Sequence, residues 1–338
     1  MSDKYPLGKL PPEHLAALLA RYPIADPRVI VGPRPGEDAA VLDVGGEQYL
    51  VAKMDPITFA TAEIGWYAVN VNANDIATTG GTPQWFMATL LLPGGQADPA
   101  MVDTIFEQMH AACDALGVAL VGGHTEITYG IDRPIVAGMM LGQVEKARLL
   151  STGDAQPGDR LLLTKGYPIE ATAIIAREKH DLLEHRFSHE YVERCAGFLH
   201  EPGISVVRDA RVALNAGRVH AMHDPTEGGL ATGLWEMAEA SNVGLEVVRE
   251  RVPVREETAL ICQHLGLDPL GLISSGTMLF ATPRGKDLID ALAAEGIKGA
   301  IIGQVTDGLR IVRGEAGEEH ILEGPGEDEL WRFLKTTS

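Results

Sequence analysis

Five short segments concentrate carboxylates, amides and glycines where apolar runs begin or end. They are Gly36-Glu37-Asp38-Ala39-Ala40, Lys53-Met54-Asp55-Pro56, Asn70-Val71-Asn72-Ala73-Asn74-Asp75, Val121-Gly122-Gly123-His124-Thr125-Glu126 and His223-Asp224-Pro225-Thr226-Glu227-Gly228-Gly229-Leu230. Asp38, Asp55, Asp75 and Asp224 supply hard oxygen ligands of the kind Mg²⁺ prefers. Two carboxylates about 4 Å apart repel by about 4 kcal/mol at an effective dielectric near 20, so such a group calls for a cation. The glycine pairs let a ligand approach backbone N–H groups, and a glycine-rich helix start accepts phosphate. The chemistry implied is binding of a metal-bound polyphosphate. Each segment also has a plainer reading: the Gly-Asp, Asp-Pro and Gly-Gly segments as turns, Asp224 or Thr226 as a helix cap, and Lys53 as a surface lysine.

The usual nucleotide and hydrolase signatures are absent: there is no GxxxxGK[ST], HExxH, GxSxG or strand-borne GxGxxG. The reading is therefore metal-nucleotide binding without a P-loop, with Mg²⁺ bridging the dispersed acids to polyphosphate. The helix expected over residues 61–79 matters most. Its Asn70, Asn72, Asn74 and Asp75 are poor helix formers set among Ala, Val and Ile, which predicts a polar face turned inward and satisfied by hydrogen bonds or an ion. Asn72 and Asp75, three apart, share that face.

The elements that must position these residues follow from the periodicity. Residues 39–44 and 48–54 read as strands joined at Gly45-Gly46; 85–92, 118–121 and 135–141 read as further strands. A helix capped by Asp98-Pro99 separates the first and second of that group. A turn-rich joint at 151–159 suggests a boundary between domains 1–152 and 153–338. Beyond it, strands are expected at 160–164, 219–222, 245–248, 277–281 and 300–305. Helices are expected at 169–177, 204–215, 226–241, 255–265 and 286–294, with a solvated acidic tail over 315–329. Mixed elements in both halves give two α+β domains.

Composition sets the outer limits. The 338 residues carry 28 Lys plus Arg against 47 Asp plus Glu, a net charge of −19, which argues against general affinity for nucleic acid or anionic membrane. A hydrophobic fraction of 45% is enough for full cores. Three scattered cysteines, no leader-like apolar segment and no run of about 18 apolar residues predict a cytoplasmic protein.

Taken in order, the five segments resemble the PurM-like ATP-binding superfamily, over about residues 32–312. Glu-Ala-Ser-Asn-Val-Gly, Val-Pro-Val-Arg-Glu-Glu and Leu-Gly-Leu-Asp-Pro-Leu, at 239–244, 252–257 and 265–270, are similar to its HypE branch. The resemblance implies an N-terminal α/β domain that forms a barrel across a homodimer interface and a C-terminal α/β domain that closes the cleft. It implies ATP and Mg²⁺ as cofactors, with Asp38, Asp55 and Asp75 at the metal. Gly36, Asp38, Asn72, Asp75, Gly122, Gly123, His124, Thr125, Gly228 and Gly229 would lie at the nucleotide. Asp75, Asp224 and Lys53 would be catalytic, with Glu126 and Glu170 as weaker candidates. The implied activity is phosphoryl transfer or ATP-driven dehydration of a small molecule or carbamoyl group. A nucleotide-binding maturation partner with little turnover and a thiamine-monophosphate kinase-like enzyme are alternatives, and a metal-dependent hydrolase is a third. Two departures stand out: the sequence ends Leu-Lys-Thr-Thr-Ser where HypE proteins end in cysteine, and His124 stands where Asp is usual.

Overall fold

The computed structural model describes residue 5 and residues 10–34, 37–58, 61–314, 316–322 and 324–336. After an opening helix α1 (Pro12–Arg21), the first half builds one six-stranded sheet. Its strands are β1 (Val29–Val31), β2 (Ala40–Leu42), β3 (Gln48–Ile57), β4 (Thr82–Pro93), β5 (Ala119–Thr128) and β6 (Ile135–Glu145). They lie in the order β1-β2-β3-β6-β4-β5, antiparallel except for the β4–β5 pair. Helices α2 (Ile64–Thr78) and α3 (Pro99–Leu116) cover one face, burying Ile64, Ala68, Ile76, Phe86, Met109 and Met140 between them and the sheet. Helix α3 starts as the sequence indicates: Met101 N–H donates to Asp98 Oδ1 at 2.8 Å.

The second half builds a seven-stranded sheet from β7 (Arg160–Thr164), β8 (Ala221–His223), β9 (Gly244–Val248), β10 (Leu279–Thr282), β11 (Gly299–Thr306), β12 (Arg310–Arg313) and β13 (Glu319–Ile321), in the order β13-β12-β9-β11-β7-β10-β8. Its helices are α4 (Ile169–Glu178), α5 (His180–Glu184), α6 (His189–Ala196), α7 (Val207–Ala216), α8 (Gly229–Ser241), α9 (Glu256–Leu265), α10 (Gly285–Ala294) and α11 (Glu329–Thr336). Strands such as β7 and β10 are apolar along their length because both faces are covered, and Leu161, Leu162, Leu163 and Phe280 are wholly buried.

Several expectations need correction. The strand expected to end at residue 121 runs on through Gly122–Thr128. Gly123 makes that possible: it holds φ +150°, and a Cβ there would lie 2.0 Å from the Ala88 carbonyl oxygen on the neighbouring strand. Helix α7 begins at Val207, not 204, because Asn74 of α2 pins the preceding segment. Asn74 donates to Ile204 O and accepts from Val206 N, both at 2.8 Å. The acidic tail is not wholly solvated, since Asp328 is 2% exposed. Strands β1, β12 and β13 and helices α5, α6 and α11 are too short for periodicity to reveal.

Candidate functional site

Lys53 and Asp55 are two apart on β3 and so leave the same face of the strand. Helix α2 crosses that face and delivers Asp75. The Lys53 ammonium lies 2.9 Å from Asp75 Oδ2 and 3.2 Å from Asp55 Oδ2. Lys53 is therefore no surface lysine: its side chain is 18% exposed. Asn72, one turn before Asp75, fixes the geometry. It accepts the Asp55 N–H at 2.8 Å and donates to Asp55 O at 3.2 Å and Ala68 O at 2.8 Å. The inward polar face is thus real, but its three asparagines bind protein backbone. Asn72, expected at the nucleotide, is fully buried and positions Asp55 instead.

The second domain completes the cluster. Strand β8 ends at His223, whose Nδ1 meets Asp38 Oδ2 at 3.2 Å and whose Nε2 meets Glu236 Oε2 of α8 at 2.9 Å. Asp224 follows. One donor atom each from Asp38, His223 and Asp224 lies within 4.8 Å of the others. Asp224 is 1% exposed, and among the described residues neither of its carboxylate oxygens has a hydrogen-bond partner. Sequence reasoning did not single out His223 or Glu236. The first stood next to Asp224 and was readable; the second lies mid-helix with no local signal.

Burial opposes charge on Lys53 and His223, but the surrounding acids outweigh it and raise both above their ordinary values. Burial raises the carboxyl of Asp75 despite the pull of Lys53. Burial, then Asp75 and Asp38, raise that of Asp224. Among the described residues, Lys53 pairs with Asp55 and Asp75, and His223 with Asp38 and Glu236, while Asp224 stands beside them with neither oxygen bonded. A buried carboxylate with no bonded oxygen is expensive unless neutralised or bound to an ion, so this donor set fits a hard divalent cation such as Mg²⁺.

Other candidates have other surroundings. Gly36 lies outside the described residues. Gly122, Gly123, His124, Thr125 and Glu126 are exposed on edge strand β5, with His124 Nε2 3.5 Å from Glu126. Strand β5 is three positions from β3 in the sheet, roughly 14 Å away at about 4.8 Å per strand. At the start of α8, Gly228 N–H donates to Asp328 at 2.7 Å, Gly229 N–H to Thr226 O at 2.9 Å and Leu230 N–H to the Tyr167 hydroxyl at 2.5 Å. The donors expected to meet phosphate are met by the chain itself. Glu170 is buried and accepts the Ser275 N–H at 2.8 Å. A cleft of about 610 Å³ opens beside the first half of α2, lined by Trp66, Asn70, Lys165, His200, Asp209 and Arg255; none of the clustered acids lines it.

Two family models match the chain: AIR synthase related protein, N-terminal domain, over residues 36–144, and AIR synthase related protein, C-terminal domain, over 156–314. The chain belongs to the AIR synthase related family. Within this family it is HypE-like. It is 32% identical over 260 residues to the carbamoyl dehydratase HypE of Azotobacter vinelandii, covering 75% of this chain and 72% of that one. A crystal structure of hydrogenase maturation protein HypE in complex with ATP superposes with TM-score 0.72 at 24% identity, covering 96% and 97% of the two chains. A HypE–HypF complex gives TM-score 0.74 at 22% identity, covering 91% and 98%. The two-domain α+β architecture expected from the resemblance is therefore the family fold. Among the described residues no helix is long and apolar enough to cross a membrane.

Proposed function

We propose that the chain is an ATP- and Mg²⁺-dependent enzyme that phosphorylates the oxygen of a carbamoyl or related amide group and so drives its dehydration. The observation that carries this reading is the Asp224 carboxylate, buried beside Asp38 with neither oxygen bonded among the described residues. Asp38, Asp55, Asp75 and Asp224 would hold Mg²⁺, which when bound neutralises polyphosphate charge. Lys53 stands fixed between Asp75 and Asp55, where its ammonium offsets negative charge on a transferring phosphoryl group. His223, clamped by Asp38 and Glu236, ties β8 to the first domain and keeps Asp224 facing the cluster. Converting –C(=O)NH₂ to –C≡N removes the oxygen and two protons. Transfer of the γ-phosphoryl group makes that oxygen leave as phosphate, with ADP as the other product.

All three cysteines of the sequence are buried, and burial pushes their thiols up, Cys113 to about 11 and Cys195 and Cys262 to about 12. None of these three buried thiols suits carriage of the substrate group. The exposed backbone of β5, with Val121 and Ile127 50% and 64% exposed, supports a homodimer that places Gly122–Thr125 of one copy near the acids of the other. The test is an assay of ADP and phosphate release with ATP, Mg²⁺ and carbamoylated thiols or simple amides. Substrate-dependent ADP release that requires Mg²⁺ is expected. ATP binding without turnover on any of these would replace this reading with that of a nucleotide-binding maturation partner.

A further inference from the structure

Away from the acid cluster, helices α5 and α6 bring two histidines and a glutamate together on the surface of the second domain. His180 and Glu184 are four apart on α5 and so share a face, and α6 begins with His189. One donor atom from each lies within 4.8 Å of the others. Glu184 sits between the two rings: Oε1 is 2.7 Å from His189 Nδ1, and Oε2 is 3.8 Å from His180 Nδ1. The rings are 5.6 Å apart between centroids. We propose that His180, Glu184 and His189 form a binding site for a divalent transition-metal ion of the zinc class.

Three features support it. The donor set, two imidazoles and one carboxylate, is one that zinc takes with a fourth position left open, whereas Mg²⁺ and Ca²⁺ prefer oxygen alone. Donors around tetrahedral zinc, with bonds of about 2.0–2.1 Å, stand roughly 3.3 Å apart, which small rotamer changes would reach here. The outer ring nitrogen is also held: His180 Nε2 meets Glu193 Oε1 at 3.2 Å, the carboxylate–histidine arrangement that fixes a metal-binding imidazole. The scaffold beneath is firm. Leu183 and Val192 are wholly buried, Phe187 stacks on Tyr191 at 4.7 Å, and the Ser188 side chain caps α6. The three ligands are partly exposed, so an ion reaches them from solvent, and the open position faces water.

The test uses untagged full-length protein stripped of metal and held in excess Mg²⁺ to occupy the acid cluster. Zn²⁺ is titrated against a chromophoric chelator. We expect one zinc equivalent that His180→Ala/His189→Ala abolishes, and that Glu193→Gln binds about 10–100-fold more weakly. X-ray absorption of the wild-type protein at one equivalent should show imidazole scattering, a readout that does not depend on any variant folding. Unchanged stoichiometry and affinity in the double variant, or a spectrum without imidazole, would overturn the site and leave a hydrogen-bonded His–Glu–His cluster.

Discussion

The acid cluster and the start of α8 lie a few residues apart in sequence, and both read as places for a metal-bound phosphate. The fold treats them oppositely. At the cluster, neither oxygen of the buried Asp224 carboxylate is bonded among the described residues. At the start of α8, Asp328, Thr226 and Tyr167 accept the first N–H groups. The first region is left incomplete and the second is closed. An incomplete buried site is destabilising until something binds, which is a reason to look for function there; a closed one serves stability.

The sharpest way to break this contrast is Asp224→Asn. If the cluster is built for a cation, ATP turnover should fall at least about 100-fold, in line with loss of a group that organises transition-state charge. Without Mg²⁺ or nucleotide the same variant should unfold at a higher denaturant concentration at neutral pH, because burial raises the Asp224 carboxyl and the amide removes the cost of holding that acid in the fold. Asp75→Asn should also abolish turnover while the fold persists. Retained turnover in either variant would remove the metal assignment.

Gly229→Ala probes the closed region. Gly229 holds φ +66°, and a Cβ there would lie 2.5 Å from the Tyr167 hydroxyl and 2.6 Å from the carbonyls of Leu270 and Leu272. Two of those neighbours are backbone, so the helix start has to move. A loss of about 3 kcal/mol or more in stability is expected, measured by denaturant titration, with residual turnover in the folded fraction. A stable variant that no longer binds ATP would reverse the roles of the two regions.

The sequence displayed the cluster better than its surroundings. Asp38, Asp55, Asp75 and Asp224 were visible because each stands at a strand end or among apolar helix residues, where an acid is out of place. The use made of Asn72 and Asn74 was not visible, since their partners are backbone atoms from distant segments, Asp55 and residues 204–206. The partner of Gly228 was hidden for a related reason: glycines announce that backbone can be approached, and the approaching group, Asp328, lies about a hundred residues on. Long strands and helices were legible from period alone. The continuation of β5 was not, because its glycines look like a turn until β4 is laid beside it.

Glu170 is a buried acid outside the cluster that does have a partner, the Ser275 N–H. Burial pushes Glu170 up to about 7, with the Ser275 N–H pulling the other way. Its folded value lies above the ordinary 4.5, so its favourable contribution is complete below about pH 4.5 and is lost as pH rises through about 7. At about 1.4 kcal/mol per pH unit between those values, Glu170→Gln should gain up to about 3 kcal/mol over wild type by pH 8, with little difference at pH 4. Parallel stability–pH curves for the two proteins would show that Glu170 does not titrate in this range.

The smallest expected effect bears most directly on whether α8 is closed. Asp328 accepts from Gly228 N at 2.7 Å and Leu330 N at 2.8 Å, and Asp328→Ala leaves both donors without their acceptor. Loss of a helix cap of this kind costs about 1–2 kcal/mol. If phosphate binds at the acid cluster, the ATP dissociation constant should stay within about twofold of wild type, because nothing removed by the substitution touches the nucleotide. If α8 is instead a phosphate site that Asp328 occupies in competition, removing the carboxylate frees two N–H groups and ATP should bind more tightly. Stability and ATP affinity measured on this one variant therefore separate a cap from a competitor: a cap lowers the first and spares the second, while a competitor raises the second.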